Sequence, residues 1–73
     1  MPIIQVQIIK GRSKDKINSL IEDITLATVK NLSVNAEQVR VLVNEIPDTH
    51  WGVGGTTKAE LDRKKTEPFI RNN

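Results

Sequence analysis

Residues 3–9 read IIQVQII, a run dominated by β-branched side chains, with Pro2 before it and Lys10-Gly11-Arg12 after it. Such residues favour a strand, and proline is tolerated where a strand begins. Because side chains alternate across a strand, one face is wholly apolar (Ile4, Val6, Ile8) and the other is mixed (Ile3, Gln5, Gln7, Ile9). The run therefore predicts a strand that packs its apolar face against a core.

The next segment, residues 14–32, has the pattern of an amphipathic helix. Ser13 stands at the N-cap position, and Asp15 follows in the first turn, where the helix dipole favours an acid. Leu26 and Val29 lie off the apolar stripe, so we expect them to be exposed or to contact another subunit. The stripe itself recurs at three- and four-residue spacing and consists of Ile17, Leu20, Ile21, Ile24, Ala27 and Leu32.

A second strand is predicted after a short turn. Asn35 and Gln38 have the spacing of a capping box that would open this turn. An arginine at position 40, inside a β-branched strand, needs a partner for its charge. Pro47-Asp48 ends the strand. Its two faces alternate as Val39, Val41 and Val43 against Arg40, Leu42 and Asn44.

Strand, helix and strand form a βαβ unit, whose crossover leaves the two strands parallel. The lengths agree, because eight strand residues span about 26 Å and a helix of about nineteen residues spans about 28 Å. The helix can cover one sheet face, but the other face and both strand edges stay bare. A chain of 73 residues buries only about 60% of its unfolded surface, so other copies of the chain are the expected cover.

The segment after the turn, residues 50–56 (HWGVGGT), has three glycines within four residues and predicts a hairpin. It lacks the spacing of a phosphate-binding loop. Residues 58–65 are predicted to form a short helix. We therefore expect an α+β fold, a β-α-β subunit with parallel strands and a C-terminal hairpin. It would form a single domain over residues 1–65, with a mobile tail at residues 66–73.

Composition excludes several classes of function. The chain has no cysteine, and His50 is its only histidine, so neither a disulfide nor a metal site is expected. Charges cancel over residues 1–57, the net charge of +2 comes from residues 58–73, and Trp51 and Phe69 are the only aromatic residues. Nucleic-acid binding is therefore not expected. No apolar run could span a membrane and no signal peptide is visible, so we expect a cytoplasmic protein.

Met1-Pro2 offers one unusual chemical group. The Pro2 nitrogen is an amide while Met1 is attached, but initiator methionine is normally trimmed before a residue as small as proline, which leaves a secondary amine. An α-amino group has a pKa of roughly 7.7–8.0, and burial or nearby cations would lower it toward a base that is free at neutral pH. Pro2 is either this base or merely the first residue of the strand region.

Four separated elements keep the spacing of a known family. They are Pro2 behind Met1, Gly11-Arg12-Ser13 after the first strand, Val39-Arg40-Val41 in the second, and residues 50–55 (HWGVGG) after the turn. From Pro2 to about Gly55, without a gap, the sequence resembles the 4-oxalocrotonate tautomerase family. It departs from that family in carrying Trp51 where phenylalanine is usual, which alters the pocket volume, and in a longer tail after Lys58.

The resemblance implies an assembly and an activity. Subunits would pair into dimers with a four-stranded sheet, and three dimers would form a homohexamer. The enzyme would need no cofactor and would interconvert the enol and conjugated keto forms of unsaturated 2-oxo acids such as 2-hydroxymuconate, small molecules of aromatic hydrocarbon catabolism. Pro2 would be the general base, and Arg12 would bind a substrate carboxylate and draw electron density. Arg40, from a neighbouring subunit, would hold the 2-oxo group and its adjacent carboxylate. The pocket would be lined by Trp51 and Ile9.

The residue types also suit this chemistry on their own. Isomerising a dienol requires a proton to leave one atom and arrive at another, which one terminal amine can accomplish. Guanidinium groups stay charged and bind a carboxylate or an oxyanion through a planar fork. Plainer alternatives are that Arg12 is a solvated loop charge, Trp51 an interface anchor and His50 an exposed turn residue. For the whole chain, the alternatives are a non-catalytic homo-oligomeric scaffold and a hydratase or dehalogenase of unsaturated acids on the same fold.

Overall fold

The first strand and the long helix form where their patterns predict them. A computed structural model describes residues 1–65 of the chain. Strand β1 spans Ile3–Ile9 and helix α1 spans Lys14–Leu32. The helix begins after Ser13, whose hydroxyl accepts the Lys16 N–H at 3.3 Å. It ends at Ser33, which has a φ of 55° and donates its N–H to the carbonyl of Val29.

The second strand, β2, spans Arg40–Ile46 and pairs with β1 in parallel, with Ile3 opposite Arg40 at one end and Ile9 opposite Ile46 at the other. The predicted parallel pair is confirmed. A short 3-10 turn at Ala36–Gln38 precedes β2. Val39, predicted to lie in the strand, instead ends this turn, because its N–H is donated back to Ala36 rather than to β1.

Helix α1 packs mainly over β2 rather than over β1. Its first four stripe residues are half-buried as predicted, but the last two turns differ from the prediction. Val29, predicted to lie off the stripe, is half-buried, whereas Ala27 and Leu32 are exposed. The displacement toward β2 is the physical reason, since it leaves Ala27 and Leu32 over an open groove beside Pro2. Leu26 is exposed, as expected.

The two faces of the β1–β2 pair differ in burial. Under the helix, the side chains of Ile4, Val6, Ile8, Val41 and Val43 are half-buried. On the other face, Ile3 and Leu42 are 62% and 51% exposed. Within residues 1–64, only Val39 is buried, at 8% exposure. A single chain therefore has little core of its own and presents apolar surface on the uncovered face.

The remaining elements follow β2 closely. A 3-10 turn at Asp48–His50 leads into strands β3, Gly52–Val53, and β4, Thr56–Thr57, which pair antiparallel. Gly54 and Gly55 form the hairpin turn with φ values of 61° and 87°, a conformation that favours glycine. Helix α2 spans Lys58–Lys65. The predicted hairpin and short helix are thus confirmed.

The fold leaves two predictions untested. The predicted mobile tail, residues 66–73, lies outside the described residues. Over residues 1–65, no helix combines the length and apolar character needed to cross a membrane. The expected cytoplasmic location remains a prediction.

Candidate active site

The residues predicted to form the site lie in two groups at opposite ends of the parallel pair. Pro2 and Arg40 stand at the amino ends of β1 and β2 and form the amino-end cluster. Ile9, Arg12 and Trp51 stand at or beyond the carboxyl ends and form the carboxyl-end cluster. From Ile3 to Ile9 the strand rises about 20 Å, at about 3.3 Å per residue. Within one chain, the Arg12 side chain therefore cannot reach Pro2.

In the amino-end cluster, Pro2 is tied directly to the second strand. The carbonyl of Pro2 accepts the Arg40 N–H at 3.0 Å, so the ladder extends one residue beyond β1. Pro2 is half-buried, while Met1 is 78% exposed. Removal of Met1 would therefore expose the nitrogen of Pro2, a residue that is already held in place by its hydrogen bond to β2.

The Arg40 side chain is held by main-chain oxygens. Its Nη1 donates to the carbonyl of Glu37 at 2.7 Å and, more weakly, to that of Val39 at 3.4 Å. Nε and Nη2 have no acceptor within residues 1–65. As the first residue of β2, Arg40 is exposed rather than enclosed. Its charge is thus solvated in the single chain and does not need the buried partner that a central strand position would require.

The Arg12 side chain is held in a similar way at the carboxyl end. Its Nη1 donates to the carbonyl of Ile9 at 3.1 Å, and the residue is exposed. Lys10 continues the sheet by donating its N–H to Ile46 at 2.8 Å, and Gly11, at a φ of 133°, then turns the chain away. Ile9 is half-buried, unlike the other residues predicted on its face of β1.

Trp51 joins the short turn after β2 to the second helix. It is half-buried, and its carbonyl accepts the Lys58 N–H at 2.8 Å. This bond fixes the start of α2 beside the hairpin. His50 is exposed, and its Nδ1 lies 3.0 Å from the hydroxyl of Thr49. The prediction of an exposed turn histidine is confirmed.

Both arginines of the predicted site lack an acidic partner in the part of the chain that the structure describes. The ion pairs there lie on α2, between Lys58 and Asp62 at 2.6 Å and between Arg63 and Glu60. The hydrogen bond from Arg63 lowers the pKa of Glu60, away from the site. Two guanidinium groups with free donors are suited to bind an anionic ligand. Residues 1–65 contain no group of three or more His, Cys, Asp or Glu side chains placed to hold a metal ion.

The sequence pattern did not indicate an open groove beside Pro2. It lies between the start of β1 and the last two turns of α1, where the pattern placed Ala27 and Leu32 in the core. The predicted lengths of the strand and the helix agree, so the sequence offered no signal for the groove, which opens because packing places α1 mainly over β2. The groove is lined by Pro2, Ile3, Ile4, Ile24, Ala27, Thr28, Asn31 and Leu32.

The fold and the candidate site are those of a small β-α-β protein with arginines suited to bind an anionic ligand. The chain is a small β-α-β unit with a proline just before its first strand and, near the strand ends, two arginines that have no acidic partner within residues 1–65. Residues 2–61 match the family model described as tautomerase enzyme. The chain belongs to this family, and within it to the 4-oxalocrotonate tautomerases. It is accordingly a tautomerase, which is a kind of isomerase.

Named relatives support the assignment. The chain is 38% identical over 63 residues to a 2-hydroxymuconate tautomerase of Pseudomonas putida, covering 86% of this chain and 100% of the relative. A solved structure of TomN, a 4-oxalocrotonate tautomerase homologue of the tomaymycin biosynthetic pathway, has a TM-score of 0.86 and 37% identity, covering 89% of this chain and 100% of that one. A heterohexameric 4-oxalocrotonate tautomerase from Chloroflexus aurantiacus has a TM-score of 0.79 and 33% identity, covering 84% and 98%. Homologues of this chain thus form oligomers.

Proposed function

We propose that the chain interconverts the enol and conjugated keto forms of unsaturated 2-oxo acids related to 2-hydroxymuconate, with the Pro2 amine as the base. One observation carries the proposal: Arg12 and Arg40 are both exposed and without an acidic partner in residues 1–65. A substrate with carboxylate and oxo groups would supply the missing anions. The 38% identical relative named a 2-hydroxymuconate tautomerase points to the same substrate class.

Each residue has a defined part in the proposed reaction. The Pro2 nitrogen takes the proton from the enol hydroxyl, the electron pair moves through the conjugated system, and the same nitrogen returns a proton to carbon, so that no group is gained or lost. Arg40 holds the 2-oxo group and its carboxylate and stabilises the negative charge that develops on the oxygen. Arg12 binds a carboxylate, and Trp51 and Ile9 line the pocket. Two nearby guanidinium groups would also lower the pKa of the Pro2 amine.

The proposed site needs more than one chain. Arg12 and Arg40 are separated by about the length of the strand, roughly 20 Å, so two different subunits must supply them to one substrate. A homohexamer of three dimers, with each dimer building a four-stranded sheet, would meet this need. The exposed Ile3 and Leu42 on the uncovered sheet face support such an assembly, as does the heterohexameric neighbour from Chloroflexus aurantiacus.

A first experiment tests the roles of the three residues. Pro2→Ala, Arg12→Ala and Arg40→Ala are compared with the unaltered protein in the absorbance change of 2-hydroxymuconate, after intact mass has shown whether Met1 is absent. We expect large losses of kcat/KM in all three variants, because Pro2→Ala replaces the fixed secondary amine with a flexible primary amine and the other two variants each remove an anion-binding group. Lys30→Ala, an exposed cation elsewhere on α1, is the matched control and should be unaffected. Undiminished turnover in Pro2→Ala and Arg40→Ala would refute the proposal.

A second experiment tests whether the arginines of one site come from different chains. Arg12→Ala and Arg40→Ala subunits are unfolded together in equal amounts and refolded, and the activity of the mixture is measured. If the arginines come from separate subunits that mix at random in a closed oligomer, about a quarter of the sites regain both. If one subunit supplied both, every site would still lack one arginine, and mixing would restore nothing.

The alternative functions are not favoured by the comparisons. The matching family and the named relative are tautomerases, rather than scaffolds, hydratases or dehalogenases. A role in aromatic hydrocarbon catabolism stays a prediction. It would gain support if 2-hydroxymuconate were turned over with a higher kcat/KM than phenylenolpyruvate.

A further inference from the structure

The 3-10 turn directly before Arg40 is closed by one of its own side chains. The Oε1 atom of Gln38 accepts the Asn35 N–H at 3.1 Å, and the Gln38 N–H is donated back to the carbonyl of Asn35 at 2.9 Å. These reciprocal bonds clamp both ends of the turn. We infer that Gln38 is a positioning residue for Arg40 in the tautomerase reaction, an inference that rests on the proposed function.

The clamped turn supplies the oxygen that holds the guanidinium group. Glu37 lies in the middle of the turn, and its carbonyl accepts the Arg40 Nη1–H at 2.7 Å. This is the shorter of the two bonds to the guanidinium, since the one to Val39 is 3.4 Å long. A neutral carbonyl fixes the side chain without cancelling its charge, so Nε and Nη2 remain able to bind an anion.

The same turn also determines where the backbone of Arg40 begins β2. Val39 closes the turn by donating its N–H to Ala36 at 3.0 Å, and the next N–H, that of Arg40, is donated to the Pro2 carbonyl at 3.0 Å. The turn thus borders both the guanidinium group and the strand position that holds Pro2. In the proposed oligomer, it would place the base of one site and the arginine of another.

Gln38→Ala would remove the hydrogen bond between Gln38 Oε1 and the Asn35 N–H, the side-chain bond that closes this turn. The Asn35 N–H would lose its acceptor, and two 3-10 bonds, which have poorer geometry than α-helical bonds, would remain. The Glu37 carbonyl would then be less fixed. The long Arg40 side chain would regain rotamer freedom that it must lose again when substrate binds.

A double-mutant cycle tests the inference on the full-length chain. The kinetic constants of Gln38→Ala, Arg40→Ala and the double variant are measured with 2-hydroxymuconate, per mole of folded protein. We expect Gln38→Ala to lower kcat/KM about 3- to 10-fold, the size of one hydrogen bond. The loss should divide between kcat and KM in the same proportion as in Arg40→Ala. In the Arg40→Ala background, Gln38→Ala should cause no further loss, because Gln38 acts through Arg40.

Several outcomes would overturn the inference. Losses that add in the double variant would show that Gln38 acts independently of Arg40. A smaller folded fraction with unchanged kcat and KM per mole of folded protein would indicate a structural role only. Thr25→Val, which removes a local side-chain bond to Ile21 on α1, is the control and should leave the kinetics unchanged. Full activity in Arg40→Ala would refute the proposed function as well, whereas an impaired Arg40→Ala beside a fully active Gln38→Ala would refute only the positioning role.

Discussion

At the amino end of the sheet, Pro2, just before β1, and Arg40, the first residue of β2, are joined by a main-chain hydrogen bond of 3.0 Å. At the carboxyl end, Arg12 is held by Ile9, only three residues earlier in the chain, at 3.1 Å. The backbone of the amino-end cluster is therefore fixed by long-range pairing, whereas Arg12 lies in a loop and its side chain has only this local bond. We expect the backbone position of Arg40 to be fixed by the sheet and the position of Arg12 to be set mainly by the neighbouring subunit.

In the proposed mechanism, the same difference between the two ends means that one chain is not a complete catalyst by itself. The amino end has the proposed base and one guanidinium group, and the carboxyl end has the other guanidinium group with the pocket residues. Each end lacks what the other holds, and the strand keeps them about 20 Å apart. Stacking copies against one another is the simplest way to bring unlike ends together.

The largest effect is expected from blocking the Pro2 nitrogen. A glutamate inserted between Met1 and Pro2 would prevent trimming and leave the nitrogen as an amide without basicity. We expect kcat/KM to fall about 10²- to 10⁴-fold, the usual value of positioned acid–base catalysis. Kinetics on samples of known intact mass provide the measurement, and light scattering checks that the oligomer is unchanged. Full activity in a chain that keeps the extra residue would show that the Pro2 amine is not the base.

At the carboxyl end, Arg12→Ala should reduce kcat/KM about 10- to 100-fold, since a hydrogen bond to a charged group contributes about 1.5–3 kcal/mol. The thermal unfolding midpoint should hardly change, because the residue is exposed and makes one local bond in the described chain. Lys10→Ala, a neighbouring exposed cation, should keep near-normal kinetics. An equal loss of kcat/KM in both variants would mean that the positive charge of this region, rather than the specific hydrogen bonds of the Arg12 guanidinium group, binds the substrate.

The sequence predicted the helices and strands far better than the packing between them. Ser13 and the spacing of Ile17 to Ile24 indicate α1 because capping and periodicity are local properties. The lateral position of α1 over β2 is set by packing, and the local pattern therefore misplaced Val29 and Leu32. Likewise, the identities of Pro2, Arg12 and Arg40 follow from sequence resemblance, but the backbone carbonyls that hold the two guanidinium groups depend on turn geometry, which residue types specify only weakly.

An intermediate effect is expected where copies would join. Leu42 is 51% exposed on the uncovered sheet face, and Leu26 is 59% exposed on the helix. If the sheet face is buried between subunits, Leu42→Ala should weaken assembly, and the protein concentration at which specific activity halves should rise roughly thirtyfold, since a buried leucine contributes about 2 kcal/mol or more. Leu26→Ala serves as the comparison and should change this concentration little. Sedimentation and activity are followed together on dilution. If this concentration rose for Leu26→Ala but not for Leu42→Ala, the interface would lie on the helix rather than on the sheet face.

The smallest effect separates the two interpretations of Trp51, as a pocket wall or as an interface anchor. Trp51→Phe keeps an aromatic ring but removes roughly 30 Å² of apolar contact, which at about 25 cal/mol/Å² corresponds to a change of about 3- to 4-fold in binding. As a pocket wall, Trp51 has no charge to offer the transition state, so the change should fall on KM and leave kcat unaltered. The change in KM should also be greater for phenylenolpyruvate than for 2-hydroxymuconate, because the bulkier ring would contact more of the wall.

As an interface anchor, Trp51 would instead affect the dilution behaviour that Leu42→Ala changes, with KM constant at high protein concentration. Measuring KM for both substrates at two protein concentrations therefore decides whether Trp51 belongs to the carboxyl-end cluster as a binding residue or only by its position in the chain.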